Sequence, residues 1–183
     1  TPVVPSQGSV GASGDLAPLS HLALVLVGEG KAYFDGHLYP GAEALKLAGL
    51  SPAVLKAKEG LALVNGTQAM GALGVVTLNE AERIGVAADM AASLTMEALQ
   101  GIICAFDSDL LAVRPHPEIQ KVGARMRHFL KGSKRITKQG ELRMQDAYSL
   151  RCIPQVHAAS WQSFHHADNV VHVEVNATTD NPV

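Results

Sequence analysis

The run Gly8-Ser9-Val10-Gly11-Ala12-Ser13-Gly14-Asp15 sets a serine between an alanine and a glycine, an arrangement that can do chemistry on its own backbone. Gly14 has no side chain, so its amide nitrogen is unusually free to approach the carbonyl carbon of Ala12 in a tight bend. Closure makes a five-membered ring. Loss of one water there and a second from Ser13 leaves a methylidene carbon conjugated to an imidazolone, an electrophile that no standard side chain supplies. A helix starting near Asp15 adds roughly half a positive charge at its N-terminus, which stabilises negative charge developing on the ring. The same residues also have an ordinary reading, a glycine-rich turn in which Ser13 or Asp15 caps the next helix.

Further along, Arg151 offers a guanidinium fork that matches the α-carboxylate of an amino acid bidentately. Gln145, Tyr148 and Arg151 recur at a spacing of three, which puts them on one helix face if the segment is helical. Taken alone they also read as a surface stripe, and Asn65 as a capping asparagine. His165, His166, Asp168 and His172 raise a metal reading, since Asp168 and His172 are four apart, but solvated or interface histidines are the commoner case and no metal is expected. Cys104, within an apolar stretch, is expected to be an inert core residue of a helix.

Several elements must position these groups. The first fourteen residues have loop composition, with three glycines, three serines and two prolines, and Asp15 then reads as a helix N-cap. Residues 16–27 are apolar almost all round, which predicts a helix that must be covered on every face. Asp35-Gly36 predicts a two-stranded ribbon over 31–39, at the periphery. Short helices are expected over 42–48 and 52–58, the second capped by Ser51 before Pro52. Residues 66–100 predict one long or once-broken helix in which Gly71, Gly74 and Gly85 permit close approach of neighbours. Helices are also expected over 117–130 and 154–173, with a mobile basic loop at 131–135 and a short segment at 145–151. The fold class is therefore mainly α, a helical bundle core with a small β-hairpin.

The extended run from Gly8 through Asp15-Leu16-Ala17-Pro18-Leu19 resembles the prosthetic-group motif of the aromatic amino acid ammonia-lyases. Asn65-Gly66-Thr67-Gln68 and Gln145-Asp146-Ala147-Tyr148-Ser149-Leu150-Arg151-Cys152 follow in that family's order, and the resemblance continues through Thr179-Asp180-Asn181-Pro182. Within the family, Ser9, Ala17, His21 and Arg151-Cys152-Ile153-Pro154-Gln155-Val156-His157 resemble the histidine branch more than the phenylalanine or tyrosine branches. Ala158 departs from the pattern, standing where glycine is expected and adding one methyl near a helix start.

The resemblance implies a 4-methylidene-imidazol-5-one formed from Ala12, Ser13 and Gly14, and non-oxidative deamination of L-histidine to urocanate and ammonia. It implies that Asn65 bonds near the ring and the substrate amino group, that Tyr148 sits by the electrophile with Gln145 orienting it, and that Arg151 anchors the substrate. It further implies a homotetramer within a larger all-helical ammonia-lyase fold. The rival readings are a phenylalanine or tyrosine ammonia-lyase or aminomutase, and a non-catalytic fragment acting only in assembly.

The bulk numbers agree with a globular chain: 183 residues suit one domain, and 47% hydrophobic residues can build a sizeable core. A net charge of -2 gives no field for nucleic acid or an anionic membrane, so neither is expected as a partner. The apolar stretches at 22–27 and 69–76 fall well short of the ~20 residues needed to span a bilayer. Two widely spaced cysteines, Cys104 and Cys152, fit a reducing cytoplasm. A start at Thr1-Pro2 and an end at the turn-like Asp180-Asn181-Pro182-Val183 suggest a single internal piece of a longer catalytic chain.

Overall fold

The structure is a computed structural model that describes residues 1–179; the turn expected at the last four residues lies outside them. Helix dominates, as the composition and periodicity require. The helices are α1 (Leu16–Leu26), α2 (Gly41–Leu47), α3 (Glu59–Val64), α4 (Gln68–Ala98), α5 (Ser108–Ala112), α6 (Pro117–Phe129), α7 (Tyr148–Arg151) and α8 (Ile153–Val175). A 3-10 turn at Ile103–Phe106 and an antiparallel ribbon of β1 (Lys31–Phe34) and β2 (His37–Pro40) complete the described elements. The chain divides into two compact units, Thr1–Val75 with Val171–Val183, and Val76–Val170.

In the first unit the ribbon turns at Asp35 and Gly36, both at positive φ (46° and 77°), so that Phe34 pairs with His37 and Lys31 with Pro40. Two left-handed residues in succession match the twist of a hairpin, and Asp-Gly accepts that backbone readily. The ribbon is less peripheral than expected, because Ala32 is buried with Val25 of α1 and Ala44 of α2. The helix expected over 52–58 does not form. Lys58 is left-handed at φ 72°, and the Glu59 carboxylate accepts the Lys56 amide at 2.7 Å, so the chain turns there and α3 begins one residue later. Val54 is 91% exposed, and with no apolar partner there is nothing to hold a helix.

The long helix is unbroken. Its glycines act through space: a Cβ on Gly71 would sit 3.3 Å from Val175, and one on Gly74 would sit 3.4 Å from Val171. In the second unit a Cβ on Gly85 would come within 2.8 Å of the Trp161 ring. That unit's core is built around Met96, Phe106, Val122 and Met126, with Leu150 and Trp161 packed among them. Ala158, the departure from the family pattern, is buried in this core and its methyl is accommodated. Cys104 corrects the expectation of an inert core cysteine: it lies on the 3-10 turn and is exposed.

A buried ionic group also sits in this unit. Asp89 of α4 has no side-chain exposure; its Oδ2 accepts Arg125 Nε of α6 and its Oδ1 meets His157 Nδ1 of α8, both at 2.6 Å. The Arg125 guanidinium lies 4.5 Å from the Trp161 ring centroid. A carboxylate taken out of water needs such partners, and here they tie three helices to one point.

Candidate active site

In the first unit the chain from Ser9 to Leu16 closes on itself. The Leu16 amide donates to the Val10 carbonyl at 2.8 Å, and Gly11 pairs with Asp15 in an isolated antiparallel bridge. Asp15 stands at the N-cap position of α1, but its side chain makes no cap hydrogen bond, contrary to expectation. Its carboxylate turns back into the loop, accepting the Ser9 hydroxyl at 3.0 Å and the Val10 amide at 2.9 Å. Capping loses because two local donors are already presented by the closed loop.

Ala12, Ser13 and Gly14 lie within this clasp. Ser13 adopts φ 56°, a left-handed backbone that non-glycine residues seldom take, and the Ala12 amide donates to the Gly14 carbonyl at 3.1 Å. The tripeptide is therefore already curled. Ala12 and Ser13 are exposed, whereas Gly14 is half-buried at φ 106° and bridged in parallel to Gly66. A Cβ on Gly14 would lie 1.7 Å from the Gly66 carbonyl oxygen, so nothing but glycine fits. Asn65, the residue before Gly66, is buried at the end of α3. Backbone pairing thus sets Gly14 against Gly66, the residue that follows Asn65.

The second unit holds the other candidates. Gln145 and Arg151 share a cleft of about 470 Å³ whose wall is mostly apolar, with Ile102, Leu110, Val113 and Met144 among its residues. Arg114 and Asp146 also line it, and the Asp146 carboxylate is already paired with Arg143 at 2.6 Å. The cleft therefore presents cation rather than anion to a ligand. The single helical face expected for Gln145, Tyr148 and Arg151 is not found, because α7 starts only at Tyr148 and Ala147 is extended at ψ 146°. Tyr148 is 72% exposed and does not line the cleft, although Arg151 lies 5.6 Å from its ring centroid.

Among the described residues no three His, Cys, Asp or Glu side chains gather to hold a metal. His165 instead meets Glu118 at 3.1 Å. Burial pushes the Glu118 carboxyl up, but its own backbone amide, His165 and Lys121 outweigh that and hold it below its ordinary 4.5. Both cysteines are unpaired, and no helix among the described residues is long and apolar enough to cross a membrane. Asp146 and Asp89 are the anchoring residues that sequence reasoning missed: the partners of Asp89 lie 36 and 68 positions away, and no spacing rule reveals them.

Comparison with known proteins settles the kinship. The family described as aromatic amino acid lyase matches residues 1–183. The chain belongs to the aromatic amino acid lyase family. A histidine ammonia-lyase of Bacillus velezensis is 56% identical over 182 residues, which is 100% of this chain and 36% of that protein. Among solved structures, the Pantoea agglomerans phenylalanine aminomutase matches with a TM-score of 0.86 at 33% identity, over 99% of this chain and 38% of that one. The Trypanosoma cruzi histidine ammonia-lyase matches with a TM-score of 0.77 at 39% identity, over 99% of this chain and 33% of that one. The aromatic amino acid lyase chain described here thus spans about a third of the length of the curated relatives it matches.

Proposed function

We propose that these residues belong to a longer catalytic chain, a histidine ammonia-lyase that converts L-histidine to urocanate and ammonia. The observation that carries this reading is the Gly14–Gly66 contact. It sets the curled tripeptide against the residue that follows Asn65 and leaves no room for a side chain where the ring nitrogen must approach a carbonyl. The choice of histidine over phenylalanine follows the relatives, where identity is 56% to a histidine ammonia-lyase and 33% to a phenylalanine aminomutase.

The residues fit a 4-methylidene-imidazol-5-one. Attack of the Gly14 nitrogen on the Ala12 carbonyl carbon expels that oxygen as water, taking its hydrogens from the Gly14 and Ser13 amides. Ser13 then loses its hydroxyl with its Cα hydrogen as a second water. The finished group supplies an electrophilic carbon. Asn65 provides polar contact near it and near the substrate amine, while Arg151 holds the substrate carboxylate through its terminal nitrogens. In this reading Tyr148 serves beside the electrophile in the full-length enzyme, with Gln145 holding it in orientation.

Exposed apolar side chains support self-association as a homotetramer. On α1, Leu22 and Leu26 are 40% and 47% exposed, and on α4 Leu73 and Ile84 are 69% and 66% exposed. Such patches mark surfaces that other protein covers. The unpaired state of both cysteines is in keeping with a cytoplasmic setting.

Full-length protein tests the reading directly. Intact mass is expected to fall two waters short of the sequence, with the loss mapped to residues 12–14, and incubation with single amino acids is expected to yield urocanate from L-histidine alone. An unmodified tripeptide in active enzyme would overturn it.

A further inference from the structure

We propose that Asp146 is a positioning residue that sets the direction of the Arg151 guanidinium; this rests on the reading of Arg151 as the carboxylate anchor. Asp146 lines the same cleft as Gln145 and Arg151, yet its side chain is only 2% exposed. Both carboxylate oxygens are engaged. Oδ2 accepts the Ile102 amide at 2.6 Å, and Oδ1 accepts Arg143 Nε at 2.6 Å. Arg143 in turn donates through Nη2 to the carbonyls of Leu99 and Gln100, at 2.6 and 3.0 Å, just past the end of α4.

The carboxylate is thus fastened to backbone beyond a 31-residue helix, while the carbonyl of the same residue accepts Arg151 Nε at 3.0 Å. One residue connects a fixed frame to the anchor. With Nε held by Asp146, the two Nη groups of Arg151 are the donors left for a bidentate ligand. Because Arg143 neutralises the Asp146 charge, the carboxylate of a ligand meets Arg151 without a competing anion beside it.

Asparagine at this position keeps the shape but has one acceptor oxygen for two donors, the Ile102 amide and Arg143 Nε. The backbone at 145–147 must then shift, and the Asp146 carbonyl with it. The consequence falls on carboxylate binding, not on the rest of the substrate.

The test uses full-length enzyme carrying Asp146→Asn or Arg143→Gln, the second altering a side chain that is 37% exposed. Steady-state kinetics with L-histidine are paired with inhibition by histamine, which keeps the imidazole and amine but lacks the carboxylate. The expected result is a rise in KM for L-histidine of about tenfold in both variants, with histamine inhibition within about twofold of wild type and the two-water mass deficit intact. An unchanged KM, or equal weakening of histidine and histamine, overturns the proposal; if Asp146→Asn does not fold, Arg143→Gln decides alone. Arg151→Lys, measured alongside, separates the two levels. Unchanged binding there removes the anchor and this proposal with it, whereas weakened binding there with normal Arg143→Gln kinetics removes only the role of Asp146.

Discussion

Gly14 and Gly66 meet backbone to backbone, so closely that a methyl on Gly14 would lie 1.7 Å from the Gly66 carbonyl oxygen. Gly11, three residues earlier, has open space around the same position. The two glycines should therefore respond differently to alanine. Full-length Gly14→Ala is expected to keep an unmodified tripeptide and show no urocanate formation, while Gly11→Ala matures normally. Intact mass of both variants decides.

Ser13→Ala in full-length protein should abolish turnover and remove the second water loss, because alanine has no hydroxyl to eliminate. Ser13 is exposed and its hydroxyl forms no part of the loop's clasp, so helix content should be unchanged by circular dichroism. More than a small residual activity would show that the electrophile comes from elsewhere.

Arg151→Lys keeps the charge but loses the fork. A charged hydrogen bond contributes roughly 1.5–3 kcal/mol, so losing one should lower kcat/KM by about ten- to a hundred-fold. The prosthetic group should still form, since neither water loss uses a carboxylate ligand. Kinetics together with mass distinguish a binding defect from a maturation defect.

Stability should be governed by the buried ion group rather than by surface pairs. Asp89→Ala strips the shared partner from Arg125 and His157, and breaking a buried pair in this way costs about 3–5 kcal/mol. Glu80→Ala removes an i,i+3 pair with Arg83 whose side chains are 57% and 77% exposed, and should cost about 0–1 kcal/mol. Thermal unfolding of the two variants should rank them in that order.

Glu118 gives a pH signature. Its carboxyl is held below 4.5 in the folded chain, so its contribution is present above 4.5 and fades as the pH falls from there through the native value. The stability gap between wild type and Glu118→Gln should accordingly be open at neutral pH and close in acid. A gap that widens on acidification would reverse the sign and dismiss the pairing with His165 and Lys121 as its source.

Much of this was legible in the sequence because the deciding forces are local. Asp35-Gly36 sets its own turn, Pro117 starts its own helix, and the apolar run after Gly66 is long enough to declare itself. The tripeptide and Asn65 were legible as motifs, though the meeting of Gly14 with Gly66 was not. Where the reading failed, a distant partner won. Gln145 leaves the helical face because the neighbouring Asp146 carboxylate is drawn inward to Ile102, 44 positions away, which holds the backbone extended before Tyr148. Asp15 leaves its cap for Ser9 and Val10 across a loop closure that spacing does not announce.

The clasp from Ser9 to Leu16 also has a bearing on timing. Its bonds and the Gly66 wall exist only once the chain has folded, and holding reacting atoms in place raises their effective concentration to about 10⁵ M or more. Under the proposed function, ring closure is then an event that follows folding, and the two lost waters are not regained when the chain later unfolds. A molecule denatured after maturation carries a chemical record of having once been native, legible in its mass alone.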